Sequence, residues 1–492
     1  MPIRCLSRAL GALLLLVIAA PAAAESRTGT LLPDTPFATE YHLIDTGLEG
    51  PSVVVVGGLN GNDPAGAQAA DEAVRWPITR GRLLLIPRAS EAALRSGTRQ
   101  TPIGPDQALE LNRAFPREKG ASASDPLAQA IWQLIQAQEP DWLIDLHEDP
   151  SVRGAGGKGI GSSAVFADDD VTAELATVAL EAVNAAIDDE AARFVPYRVS
   201  ASSAGLLRAA GERHGIRSIT LATTSVKTQR LPVRARQHRT MLAAMLHHVG
   251  MLAAPGDPGV TRAPGARLRV ALYDDGGSPS SQANLVDRPI RRTGAIVHRI
   301  DAADIRAGAL DAYDVVCFMG GSGSAIARTL RPAGIEAVRR FVEAGGEYIG
   351  VCAGAYLATS GYDWSLKILD ARTLHTGNQW RRGRGEVVIA FTDDGRAILE
   401  LEETQAPMSY VNGPVIGPAG RDDLPDYRIL ATFHTELAEN GTPPGLMQGT
   451  PAIVEGTFGG GRVITISPHP EGRSATRHIF LAVLERAISA SD

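Results

Sequence analysis

The sequence has 492 residues, 44% of them hydrophobic, and a formal net charge of −7 at pH 7. A chain of this length favours two or three domains, each with its own hydrophobic core. The acidic balance argues against the strongly basic surface that nucleic acids and anionic membranes attract, so we expect no nucleic-acid partner.

The first 24 residues have the pattern of a secretory signal peptide. Arg4 and Arg8 form a basic start, an apolar stretch follows at 10–20, and small residues at 22–24 precede Glu25. The apolar stretch is too short to span a bilayer, so we expect no membrane span after removal of the signal. An uncleaved N-terminal anchor is the alternative. The prediction is an exported protein, periplasmic or extracellular.

Short β-branched runs alternate with helical patterns on either side of a segment rich in Pro, Gly and Ala at 252–266. This alternation predicts two three-layer α/β domains, 30–251 and 267–490, joined by that segment as a linker. In the first domain we predict strands at 52–56, 82–87, 142–146, 164–167 and 218–223, and helices at 64–74, 126–136, 171–187 and 232–249. In the second we predict strands at 269–273, 315–319, 348–351, 387–390 and 463–467, and helices at 332–344 and 475–488. Nothing in the pattern indicates an oligomeric state.

Four short motifs of the first domain lie at or near predicted strands. They are VVVVGGLNGNDPAG at 53–66, LNRAFP at 111–116, DLHE at 145–148 and ITLATT at 219–224. At these places the domain resembles zinc carboxypeptidases of the M14 superfamily, in particular the succinylglutamate desuccinylase and aspartoacylase branch. The resemblance implies a carboxypeptidase-like mixed sheet.

The resemblance also implies roles for individual residues. Asn112 and Arg113 match the pair that grips a substrate carboxylate, a task that suits the planar guanidinium fork of arginine. His147 matches one of three zinc ligands. The resemblance thus predicts recognition of a ligand that ends in a carboxylate.

The departures from the M14 pattern fall on the zinc chemistry. Asn60 and Asp63 stand where the family has a ligand His and a ligand Glu, and Ala222 stands where it has the catalytic Glu. Zinc in catalytic sites usually has three protein ligands, and only Asp63 and His147 remain as good candidates. We therefore expect a degenerate domain without zinc hydrolysis. The alternative is unusual metal binding helped by one of the acidic residues at 148 and 149.

The second domain contains two of the three cysteines, Cys317 and Cys352, both next to or within predicted strands. A disulfide between them is one alternative, and a free thiol with a chemical use is the other. Around Cys352 the sequence GVCAGA at 350–355 joins a strand to a helix through small residues. This pattern is typical of a nucleophile elbow, where a helix N-terminus favours a thiolate and can hold an oxyanion.

Two further motifs of the second domain could complete such a site. The sequence SPHPE at 467–471 places His469 and Glu471 two residues apart after a strand, so that the carboxylate can orient the imidazole beside the thiol. The sequence FMGGSG at 318–323 is a glycine turn that can supply a backbone N–H.

Together the three motifs resemble class I glutamine amidotransferase-like domains, in particular the biotin-protein ligase N-terminal domain. The resemblance implies a flavodoxin-like open sheet over 267–490. It implies that Cys352 is the nucleophile, that His469 is the general base and acid, and that Glu471 orients it. The backbone of Gly321 and Ala353 would form the oxyanion hole.

The expected function is amide or ester hydrolysis at the cysteine site, on a small-molecule or peptide substrate. An exported location supplies little ATP for a synthetase partner, which argues against ammonia transfer. Two alternatives stay open. One is a zinc-dependent carboxypeptidase or deacylase whose second domain is accessory, and the other is a non-catalytic binding protein. Zinc is the one cofactor that the patterns suggest, and it belongs to the first alternative.

Overall fold

The computed structural model describes residues 25–104, 107–199, 205–225, 229–265, 267–375 and 377–488. The predicted signal peptide at 1–24, the last residue of the predicted linker and the end of the second predicted domain at 489–490 lie outside the described residues. None of the described helices combines the length and the apolarity that a membrane crossing requires.

The first domain contains the following strands and helices. The strands are β1 (Glu25–Leu31), β2 (Thr39–Asp45), β3 (Ser52–Gly57), β4 (Arg82–Ile86), β5 (Thr101–Gly104), β6 (Gln107–Leu109), β7 (Trp142–Asp149), β8 (Ser163–Phe166), β9 (Val195–Arg198) and β10 (Arg217–Thr224). The helices are α1 (Pro64–Glu72), α2 (Glu91–Ser96), α3 (Pro126–Ala137), α4 (Asp170–Asn184), α5 (Leu207–Arg213) and α6 (Leu231–His248).

Eight of these strands form one mixed sheet in the order β1-β2-β4-β3-β7-β10-β8-β9. The central strands β4, β3, β7 and β10 pair in parallel, and antiparallel pairs lie on both sides of them. Alternate side chains of a strand point to opposite faces. Accordingly, Val53 and Val55 pack in one core with α4 and α6, whereas Val54 and Val56 pack in another core with α3. The predicted three-layer arrangement is confirmed for this domain.

The second domain contains the following strands and helices. The strands are β11 (Arg269–Tyr273), β12 (Ile296–Ile300), β13 (Val315–Phe318), β14 (Glu347–Val351), β15 (Ala371–Thr373), β16 (Arg384–Phe391), β17 (Gln405–Val411), β18 (Ile416–Pro418), β19 (Arg428–Phe433), β20 (Pro451–Phe458) and β21 (Gly461–Ile466). The helices are α7 (Ser280–Arg292), α8 (Ala302–Arg306), α9 (Gly323–Glu343), α10 (Ala353–Ala358), α11 (Asp393–Leu399) and α12 (Arg477–Ile488). Arg331 is not helical (φ 62°, ψ 171°) and divides α9 into two segments, the second of which is the predicted helix at 332–344.

The main sheet of the second domain has nine strands in the order β12-β11-β13-β14-β21-β20-β19-β16-β17. The first five pair in parallel, and their order corresponds to the 2-1-3-4-5 order of flavodoxin-like folds. This part confirms the predicted open sheet. The last four strands pair antiparallel and extend it beyond the prediction.

Buried polar contacts join the two domains. Gln68 on α1 donates from Nε2 to the carbonyl oxygen of Arg299 (2.7 Å), and its Oε1 accepts from the amide nitrogen of the same residue (3.0 Å). One turn further along α1, Asp71 Oδ2 lies 2.8 Å from Arg269 Nη2. All four side chains are buried. Because buried charges require their partners, these contacts hold the domains in one arrangement.

Candidate active site

The three cysteine-site motifs follow three adjacent parallel strands of the second sheet. The glycine turn follows β13, Cys352 follows β14 and His469 lies three residues after β21. Ligands of open α/β sheets bind beyond the carboxyl ends of the strands, so the topology places these residues where a site is expected.

Cys352 has the strained backbone of a nucleophile elbow. Its φ is 51° and its ψ is −96°, and it is the N-cap residue of α10. Its backbone N–H donates to the carbonyl oxygen of Ile466 on the next strand (2.8 Å). Glycine is required on both sides, because a Cβ on Gly354 would lie 2.0 Å from the carbonyl oxygen of Phe318, and one on Gly350 would lie 2.6 Å from the carbonyl carbon of Gly354. The elbow therefore depends on its two flanking glycines.

We expect Gly354→Ala to lower the free energy of unfolding by about 3 kcal/mol, because its methyl group would overlap a backbone oxygen. Gly256→Ala is the matched control, since a Cβ there has no heavy atom within 4 Å and the change is expected to stay within about 0.5 kcal/mol. Urea unfolding followed by circular dichroism measures both. Equal midpoints for the two variants would contradict this account of the elbow.

His469 and Glu471 form a buried pair beside the cysteine. His469 Nδ1 lies 2.7 Å from Glu471 Oε1, and the Glu471 side chain is fully buried. The backbone N–H of His469 donates to the carbonyl oxygen of Ser409 on β17 (2.8 Å), which fixes the segment. Burial alone would lower the pKa of His469, but hydrogen bonds with Cys352 and with Glu471 raise it to about 10. The imidazole is therefore positively charged at neutral pH.

The cysteine site opens onto a cavity of about 390 Å³. Cys352, His469, Glu471 and Gly321 all line it, and Ala353 is buried at the first position of α10. The structure thus brings together the residues that the three motifs predicted.

The sequence analysis did not find three polar residues that also line this cavity, Gln282, Arg384 and Ser409. They come from α7, β16 and β17, which are distant in the chain and reach the cavity only through the tertiary fold. No local pattern marks them.

Cys317 is more deeply buried than Cys352 and does not line the cavity. It lies inside β13 with no exposed surface, and burial raises its pKa to about 12. Both cysteines are free, so the disulfide alternative is wrong. The thiol of Cys317 is part of the hydrophobic core, and it serves below as a control for Cys352.

In the first domain, His147 lies between two carboxylates. Its Nδ1 is 2.8 Å from Asp63 Oδ2 and its Nε2 is 2.9 Å from Asp145 Oδ2. Burial alone would lower the pKa of His147, but Asp145 and Asp63 raise it to about 10. The structure brings Asp63 and His147 together, as predicted for a metal pair, yet the contact between them is an ion pair.

The donor set of this cluster does not fit zinc. Asp145 can orient His147 as carboxylates orient zinc-bound histidines, so Asp63 and His147 are two donors where catalytic zinc usually has three protein ligands. Asn60 is a neutral amide whose Nδ2 donates to Asp63 Oδ2 (2.8 Å). Ala222, in register with His147 on the neighbouring strand, offers only a methyl group. Within the described ranges no group of three His, Cys, Asp or Glu side chains is arranged to hold a metal.

The predicted carboxylate-binding pair lies beside this cluster. Asn112 Nδ2 is 3.0 Å from His147 Nε2, and Asn112 Oδ1 accepts from the backbone N–H of Leu207 (3.0 Å). Arg113 has a side chain 46% exposed and lies 3.6 Å from Glu110. Asn112, Arg113 and His147 line a cavity of about 290 Å³, which is large enough for a small ligand.

Residues 310–482 match the family model described as biotin-protein ligase, N terminal. This match confirms the resemblance predicted for the second domain, and it covers less than half of the chain. No match was found among curated proteins.

Similar solved structures include proteins of the classes predicted for the first domain. One is the mDAP-bound form of Helicobacter pylori Csd4, a D,L-carboxypeptidase, at 16% identity over 41% of this chain and 52% of that chain, with a TM-score of 0.35. An aspartoacylase family protein from Mesorhizobium loti is 20% identical over 47% of this chain and 72% of that one, with a TM-score of 0.35. A succinylglutamate desuccinylase from a Silicibacter species is 20% identical over 48% of this chain and 70% of that one, with a TM-score of 0.36. The chain spans about half the length of the first of these.

Proposed function

We propose that this protein is an exported hydrolase that cleaves an amide or ester bond with Cys352 as the nucleophile. The observation that carries the proposal is the geometry of one cavity, in which a strained cysteine at a helix N-terminus lies beside a charged, carboxylate-bound histidine. A charged imidazole stabilises a negatively charged sulfur next to it. We place the protein in the periplasm or outside the cell on the strength of the signal-like sequence at 1–24.

The reaction needs only groups of this cavity, the substrate and water. The Cys352 thiolate attacks the carbonyl carbon, and backbone N–H groups of Gly321 and Ala353 stabilise the oxyanion that forms. When the intermediate collapses, the C–N or C–O bond breaks and His469 gives its proton to the leaving group, which leaves a thioester. Water then loses a proton to His469 and attacks the thioester, which releases a carboxylic acid and restores the Cys352–His469 pair. Glu471 holds His469 throughout.

The first domain supplies recognition in this proposal. Arg113 and Asn112 line a cavity of their own and would bind a carboxylate group of a small-molecule or peptide substrate. The domain needs no metal for this role.

The function is tested with a panel of p-nitrophenyl esters and p-nitroanilides. We expect the wild-type protein to hydrolyse members of the panel and Cys352→Ala to show no turnover above buffer. Cys317→Ala is the matched control and should keep the wild-type rate, because Cys317 lies in the core away from the cavity. Turnover by Cys352→Ala equal to that of the wild type would overturn the proposal.

Glu471→Gln is expected to reduce kcat about a hundredfold while it leaves KM nearly unchanged, because the amide keeps the shape but not the charge of the carboxylate. His469 is charged below its raised pKa, so activity should fall as pH rises through about 10 in the wild type. In Glu471→Gln, which lacks the carboxylate charge, this fall in activity should occur at a lower pH. An unchanged pH profile would show that Glu471 acts only in packing.

A further inference from the structure

A cleft of about 830 Å³ lies between the two domains. Residues 61–64 at the start of α1, the first turns of α6 and the length of α7 contribute to its walls. This volume is typical of small-molecule sites. Leu285 on α7 lines both this interdomain cleft and the cavity of Cys352, so the cleft adjoins the candidate active site.

Arginine dominates the walls of the interdomain cleft. Seven arginines line it, against two aspartates, Asp274 and Asp287. Asp274 is shared between Arg230 (3.0 Å) and Arg299 (3.2 Å). Asp287 is shared between Arg299 (2.8 Å) and Arg291. The carboxylates in the walls are therefore already neutralised by part of the arginine set.

Of the four other arginines of the cleft, Arg234 pairs with Glu148. The remaining three are Arg288, Arg292 and Arg477. Among the residues that the structure describes, none of the three has a carboxylate within ion-pair distance. Arg288 and Arg292 are exposed and stand one turn apart on α7, so their side chains lie on the same helix face. The Nε of Arg477 is buried and lacks a hydrogen-bond acceptor. Arg477 is thus a third cleft arginine without a carboxylate partner among the described residues.

We propose that the interdomain cleft binds a small polyanion, a molecule that carries at least two carboxylate or phosphate groups. Arg288 and Arg292, which are exposed on one face of α7, form the main contact, and Arg477 lines the same cleft. Guanidinium forks pair with either anion in two-point contacts. A ligand in the interdomain cleft then lies next to the Cys352 cavity, with Leu285 in the wall that both share.

The proposal is tested by calorimetric titration of the full chain with inorganic pyrophosphate and with tricarballylate at low salt. The triamide of tricarballylate is the neutral control. We expect at least one anion to bind the wild type and the double variant Arg288→Gln, Arg292→Gln to bind it at least about tenfold more weakly. Arg328→Gln, an exposed arginine on α9 that does not line the cleft, should bind as the wild type does. Added salt should weaken binding, because the contact is ionic.

The two anions separate the sources of negative charge. Binding of pyrophosphate alone identifies a phosphate ligand and binding of tricarballylate alone a carboxylate ligand, and each result supports the proposal. If the double variant does not fold, the single variants Arg288→Gln and Arg292→Gln should each lose about threefold in affinity. Failure of both anions to bind the wild type, or binding of the triamide with equal affinity, would overturn the proposal. The result is independent of Cys352, so it does not stand or fall with the proposed hydrolysis.

Discussion

Replacing His469 by glutamine is expected to slow the reaction of Cys352 with iodoacetamide at pH 7 about thirtyfold. An ordinary thiol is only a few per cent thiolate at neutral pH, and the thiolate is the species that reacts. In the wild type the charged imidazole stabilises the negative sulfur, and the glutamine side chain cannot. Rates are measured by mass spectrometry of the Cys352 peptide. The Cys317 peptide, buried in the same protein, is the internal control and should stay unlabelled.

The pH dependence of this reaction has a definite sign. Because the pKa of His469 is raised to about 10, its charged form persists from acid to alkaline pH and is lost only as pH rises through that value. The wild type should therefore react faster than His469→Gln from acid to neutral pH, and the difference between their rates should shrink as pH rises through about 10. Parallel profiles for the two proteins would contradict the ion pair.

Arg269→Met is expected to lower the free energy of unfolding by about 3–5 kcal/mol, since it leaves the Asp71 carboxylate buried without its main partner. Burial would raise the pKa of Asp71, but Arg269 and His298 hold it well below its usual range. The pair of Arg269 and Asp71 therefore stabilises the fold at pH values above the pKa of an exposed aspartate. This contribution is lost as pH falls through the depressed pKa of Asp71. The loss in free energy of unfolding caused by Arg269→Met should therefore become smaller in acid.

The control for this prediction is Arg262→Met. Arg262 pairs with Asp314 at 2.7 Å, but the two side chains are 41% and 32% exposed, so the expected loss is at most about 1 kcal/mol. Urea unfolding at pH 8 and at about pH 3, below the pKa of an exposed aspartate, measures both variants. Equal losses for Arg269→Met and Arg262→Met would contradict the view that the domain interface depends on buried charge.

Elements with strong local patterns were predictable. The strand at 269–273 has the predicted bounds, and the strands before the glycine turn and before Cys352 differ from their predictions by one residue. Apolar β-branched runs next to small-residue turns carry this information locally. The same holds for the cysteine site, because Cys352 directly follows one such strand, and His469 and Glu471 lie within five residues of the end of another.

Elements stabilised by tertiary contacts were not predictable. β12 contains His298 and Arg299, which are buried only because Asp71 of the other domain and nearby aspartates pair with them. The helix α7 was missed although its buried residues Ala283, Val286 and Ile290 recur at helical spacing, because Pro289 interrupts a mostly polar segment. Since α7 carries much of the interdomain cleft, that site was missed with it.

The ion cluster of the first domain had a signal that the sequence analysis did not use. Asp145 and His147 are two residues apart on β7, and side chains at this spacing point to the same face of a strand. The spacing therefore indicates a contact between Asp145 and one ring nitrogen of His147. The position of Asp63 against the other nitrogen depends on the turn before α1 and could not be inferred from spacing.

Peptide mapping after brief exposure to p-nitrophenyl acetate tests the central claim most directly, because it shows which atom takes up the acyl group. The account predicts an acetyl thioester on Cys352 in the wild type, faster release of p-nitrophenol in a burst than in the steady state, and neither in Cys352→Ala. Acetylation that spares Cys352 in the wild type, or a burst that survives in Cys352→Ala, would contradict the assignment of this cysteine as the nucleophile.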